Sequence, residues 1–159
     1  MIRRTPTRMA LCIGLLAVNL LFIWGNSLMP ARVSELLSGW VHRVLSLILP
    51  GSMEGATGHG LLRKLAHFSE FCALGVLLSW LFAMLLKKTW AFALPSLACG
   101  CLAACVDELL QHLSPGRNPS ITDVGIDSAG VLVGIGMLCL GYTTVKKQIK
   151  HNTTGGKQQ

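Results

Sequence analysis

The sequence predicts an all-α integral membrane protein with four transmembrane helices and an amphipathic interfacial helix between the first and second. Three observations lead there. Hydrophobic residues make up 52% of the 159-residue chain and charged residues only 13%, a balance unlike that of a soluble domain. The apolar residues gather into four stretches of about 20, the length that crosses a bilayer as a helix. The basic residues, which give a net charge of +7, stand in short clusters beside those stretches, where they orient helices and meet anionic headgroups. No nucleic-acid-binding module is visible, so the positive charge points to a membrane rather than to DNA or RNA.

The first span covers about residues 7–28. Its basic start and apolar run resemble a signal peptide, but the run from Met9 to Trp24 is long for a signal and no small-x-small cleavage site follows. We therefore read it as an uncleaved anchor. In 32–49, Val33, Leu37, Trp40, Val44 and Ile48 recur every three or four residues opposite Glu35, Ser38, His42 and Ser46. That pattern is an amphipathic helix, lying either flat on a leaflet or against the bundle. Pro50 and Gly51 end it, and GSMEGATGHG reads as a flexible loop.

The second and third spans, about 62–86 and 89–113, are joined only by Lys87, Lys88 and their neighbours, which forces a tight antiparallel pair. The link SPGRNPS has turn composition and leads to the fourth span, about 121–142. There Gly125, Gly130, Gly134, Gly136 and Gly141 read as packing residues, Gly130 and Gly134 forming a small-xxx-small pair that lets helix backbones approach closely. Residues 1–145 read as a single membrane domain, and 146–159 as a polar cytoplasmic tail without order. Cys12, Cys72, Cys99, Cys101, Cys105 and Cys139 all fall in apolar stretches, where a free thiol behaves as a small hydrophobe.

Counting Lys and Arg around four spans sets the orientation. Arg3, Arg4, Arg8, Lys87, Lys88, Lys146, Lys147, Lys150 and Lys157 fall on one side, against Arg32, Arg43, Arg63, Lys64 and Arg117 on the other. The positive-inside rule makes both termini cytoplasmic. All seven acidic residues then lie toward the outer face.

Ionisable groups inside spans are costly, and function is the default explanation for them. On the second span Lys64, His67 and Phe71 share a face, with Glu70 beside His67. On the third, Asp107 and Gln111 are four apart, as are Glu108 and His112; on the fourth, Asp123 and Asp127 are four apart. At 1.5 Å per residue, Glu70 lies about 12 Å below the outward start of its span and Asp107 roughly 9 Å below the outward finish of its own, with Asp127 comparable. These sets are expected to meet in one pocket below Arg117, whose guanidinium offers a fork to phosphate or carboxylate. A structural salt-bridge network of His67, Glu70, Asp107 and Arg117 is the plain alternative. No cofactor is implied. A divalent metal held by some of His67, Glu70, Asp107, Glu108 and His112 is a weaker option, because no zinc spacing is present. Ser69 and Ser114 lie near, but no motif marks either as a nucleophile.

The ordered K-x-x-H-F-x-E of KLAHFSEFCALG, followed by D-E-x-x-Q and R-x-x-S-x-x-D in DELLQHLSPGRNPSITDVGIDSAG, resembles the VanZ-like family of small bacterial membrane proteins. The matching positions are Lys64, His67, Phe68, Glu70 and Gly75, then Asp107, Glu108, Gln111, Pro115, Gly116, Arg117, Ser120, Asp123 and Gly130. The resemblance spans roughly the second to fourth helices. NSLMP, residues 26–30, only faintly resembles the polar turn that ends the family's first span. Phe71 stands where the family usually has Tyr, and Asp127 where it usually has Asn. The family is named for a protein that lowers susceptibility to teicoplanin, a lipid-tailed glycopeptide acting at the outer face, so the resemblance implies an envelope role on that side.

The expected function is an outer-facing site for the head of an envelope lipid or lipid-tailed molecule, such as a lipid-linked cell-wall precursor or a lipoglycopeptide. Lys64 and Arg117 would meet an anionic group, with His67, Glu70, Asp107, Glu108, Gln111, Ser120, Asp123 and Asp127 shaping and balancing the site. The alternative is an intramembrane hydrolase or transferase with Glu108 or Asp107 as general base and His67 as its acid/base partner. A flippase or small transporter is the third reading and would require an oligomer, since four spans carry no inverted repeat.

Overall fold

The computed structural model describes residues 5–33, 36, 39, 56–86, 91–117 and 120–155, with side chains described throughout except at 56–60 and 145–155. Among these residues there are helices and no strands. Four helices are long and apolar enough to cross a membrane, so the chain is a multi-pass membrane protein. Helix α1, Pro6–Ser27, starts where Thr5 accepts a hydrogen bond from the Arg8 amide and where Pro6 takes a first-turn position that needs no donor. The other three are α2, Ala56–Leu85, α3, Ala93–His112, and α4, Ile121–Gly155.

The packing is sparse inside and greasy outside. Leu11, Val18, Leu21, Phe22, Leu102 and Leu140 are exposed on the outer surface of the bundle, where lipid tails solvate them. The buried core is a thin column that includes Leu16, Ile23, Phe71, Leu74, Ala104 and Val131. Since lipid removes the hydrophobic drive for helix association, close backbone packing must supply it. It does so between α2 and α4: a Cβ at Gly130 would strike the Phe68 carbonyl, one at Gly134 the Cys72 carbonyl, and one at Gly75 the Val131 carbonyl. The packing role read for Gly130 and Gly134 is therefore borne out, while Gly125, Gly136 and Gly141 face open space.

Ser27 and Asp107, late in α1 and α3, meet His67 and Asp127, early in α2 and α4. The helices consequently alternate in direction, and one end of the bundle collects the polar residues. Two boundaries differ from expectation. Helix α2 begins at Ala56, inside the stretch read as a loop, and α4 runs on to Gly155 through the stretch read as a disordered tail. Extending an existing helix needs no new nucleus, and Lys and Gln after Tyr142 are good helix formers. The amphipathic segment expected at 32–49 and the Lys87–Lys88 link lie almost wholly outside the described residues, apart from a helical start at 31–33.

Candidate functional site

Asp107 is the hub of the polar end. It is fully buried, and a carboxylate so placed needs donors on its oxygens. The Ser27 hydroxyl donates to Oδ1 at 2.5 Å, the Gln111 amide donates to Oδ2 at 2.8 Å, and His67 Nδ1 stands 3.7 Å from Oδ2. Three helices thus converge on one side chain. The spacing of four between Asp107 and Gln111 does here what helical geometry requires.

The turn between α3 and α4 docks on the end of α1. Gly116 has φ of +79°, a left-handed conformation that glycine adopts without steric cost. It lets the turn reverse so that the Ser114 hydroxyl donates to Ser27 O at 3.1 Å and Arg117 Nη2 donates to Asn26 O at 3.0 Å. The Ala31 amide donates to Pro115 O in the same contact. Ser114 is therefore a clamp on the end of α1, and Ser69, exposed and donating to Ala66 O, is turned to its own helix.

Arg117 is buried to 7% exposure, and its Nε and Nη1 have no hydrogen-bond partner among the described residues. Burial, and then nearby Arg63, push its pKa down, while Asp107 and Glu108 hold it up; a guanidinium remains cationic throughout. Among the described residues it makes no ion pair. The proposed network of His67, Glu70, Asp107 and Arg117 is thus realised only between His67 and Asp107. Glu70 is reached instead by Asn26, whose Nδ2 donates to Oε1 at 3.2 Å.

Glu108 caps the start of α4, accepting from the Ser120 amide at 3.0 Å, and its other oxygen has no partner. Such an acid beside a helix N-terminus is electrostatically favoured. At the rim, Arg63 and Lys64 lie 3.9 and 3.7 Å from Asp123. Below them Asp127 is 1% exposed with neither oxygen hydrogen-bonded. Arg63, Lys64, His67, Gln111, Asp123 and Asp127 line a cleft with about 10 Å³ of water-accessible space, room for roughly one water or ion.

An apolar groove of about 210 Å³ runs between α1, α2 and α3, lined by Leu20, Trp24, Leu74, Leu78, Leu102 and Val106 among others. Trp24 and Val106 stand next along the chain to the polar end, two residues before Asn26 and one before Asp107. The fold thereby puts a greasy groove beside a charged pocket.

All the expected site residues gather at this end except His112, which is exposed. Asn26 and Ser27 are additions to which the sequence reading gave no site role. Their signal was two polar residues closing an apolar span. A family model described as VanZ/LLP1 matches residues 11–142. No curated protein and no solved structure matches.

Proposed function

This chain belongs to the VanZ/LLP1 family, and we propose that its polar end binds the anionic head of an envelope lipid or lipid-tailed molecule while the adjoining groove takes the tail. The observation that carries this is Arg117, a buried guanidinium with two nitrogens unpartnered, anchored to Asn26 O two residues from Trp24 of the groove. A buried cation with unmet donors is unfavourable unless an anion completes it. Arg63 and Lys64 at the rim add positive charge at the approach, and the groove supplies apolar area. The basic-residue bias supports an orientation with this end toward the outer leaflet and both termini cytoplasmic. Capture of a lipid-linked wall precursor or of the drug's lipid tail there would lower susceptibility to teicoplanin-type glycopeptides.

A second reading is supported by His67 standing 3.7 Å from Asp107 and by the unpartnered Glu108 Oε1: an intramembrane hydrolase or transferase with these groups as acid and base. A flippase acting as an oligomer is a third. Mass spectrometry of envelope lipids and wall precursors from cells making wild type or Glu108→Gln at equal levels separates them. The binding reading predicts matching profiles and a lipid that co-purifies with wild type. A covalently altered species found only with wild type would replace it with the enzymatic reading, and an unaltered lipid moved between leaflets only with wild type would favour the flippase.

A further inference from the structure

The geometry points to a divalent cation site formed by His67 of α2, Asp107 of α3 and Asp127 of α4. One ligand atom from each lies within 4.8 Å of the other two. Two ligand atoms about 2.1 Å from one ion and spread by a tetrahedral angle stand about 3.4 Å apart, and His67 Nδ1 and Asp107 Oδ2 are at 3.7 Å. A contraction of at most about 1.4 Å, from 4.8 Å to that spacing, then brings all three ligand atoms together.

Asp127 gives the independent reason to place an ion there. Its carboxylate is 1% exposed and both oxygens lack a hydrogen-bond partner among the described residues, as does His67 Nδ1. Polar atoms buried in this way are normally satisfied by something. A divalent ion would engage His67 Nδ1 and the Asp127 carboxylate together, and two carboxylates with one neutral imidazole cancel its charge. The cleft beside His67, Gln111 and Asp127 has room for roughly one ion-sized occupant.

The donor set selects the kind of ion. Magnesium and calcium favour all-oxygen coordination, whereas one imidazole with two carboxylates suits manganese(II) or zinc. Outer partners are in place: the Ser27 hydroxyl and the Gln111 amide fix Asp107, the role that neighbours of metal ligands play elsewhere. The triad differs from the set that spacing alone nominated. Glu70 points to Asn26 and His112 is exposed, while Asp127 takes their place. This inference does not depend on lipid binding.

The test uses untagged full-length protein in nanodiscs, stripped with chelator and then equilibrated with manganese(II) or zinc. Elemental mass spectrometry should find about one ion per chain, empty nanodiscs retaining none. Asp127→Asn and His67→Gln should each weaken binding by at least roughly tenfold, a loss at the lower end of that seen for the outer partners of metal sites, while His112→Gln should not change it. In wild type loaded with manganese(II), pulsed electron paramagnetic resonance should show nitrogen coupling that His67→Gln removes. Only trace metal on folded wild type, or equal binding by wild type and Asp127→Asn, would overturn the assignment, leaving a proton shared between the two carboxyl groups as the occupant.

Discussion

The glycine seam between α2 and α4 and the polar end of the same bundle are both tightly packed, yet they use proximity in opposite ways. At the seam, Gly130 and Gly134 bring backbone against backbone, a contact that asks for no polar partner. At the polar end, Ser27, Gln111 and His67 surround Asp107, while Arg117, Glu108 and Asp127 keep buried atoms without partners. Packed backbone needs nothing further, whereas several buried polar groups left open at one end of a bundle are suited to receive something.

Substitutions should separate the two regions in a definite order. Gly134→Val should be the most damaging, costing about 3 kcal/mol or more, since overpacking against backbone has no side chain to move aside; thermal unfolding in nanodiscs would show it. Asp107→Ala comes next, at about 2 kcal/mol in the same assay, because it strips the acceptor from Ser27 and Gln111 in a buried site. Asp127→Asn, by contrast, should leave metal-free protein as stable as wild type or up to about 1 kcal/mol more stable, as it removes an uncompensated buried carboxylate. Equal losses from Asp107→Ala and Asp127→Asn would break the distinction between a structural hub and an open ligand. Gly136→Ala should have the smallest effect, a gain of about 0.5 kcal/mol, because the added methyl meets open space and alanine is the better helix former.

Much of this architecture was legible in the sequence because lipid imposes simple rules. Four apolar stretches gave four spans, and the spacing of four put Asp107 and Gln111 on one helix face, where they hydrogen-bond. Periodicity states which residues share a helix face but not which face turns inward. Hence His112, spaced from Glu108 like Gln111 from Asp107, was a fair candidate and proves exposed. Asn26 and Ser27, noted only as the start of the polar NSLMP turn, were given no site role for a related reason: polar residues closing a span look like an ordinary helix end, and only the docking of the α3–α4 turn makes them part of the site. Arg117 was placed correctly in a turn, but its anchoring by a backbone carbonyl rather than by an acid depends on tertiary geometry.

The central claim is that the open donors of Arg117 receive an anionic head. Native mass spectrometry of lipid retained by purified wild type, Arg117→Lys and Arg117→Gln tests it most directly. Lysine keeps the charge but loses the planar fork. The account predicts an anionic lipid on wild type, about tenfold less on Arg117→Lys and none on Arg117→Gln. Equal retention by all three folded proteins would contradict it and make Arg117 a fastening for the end of α1.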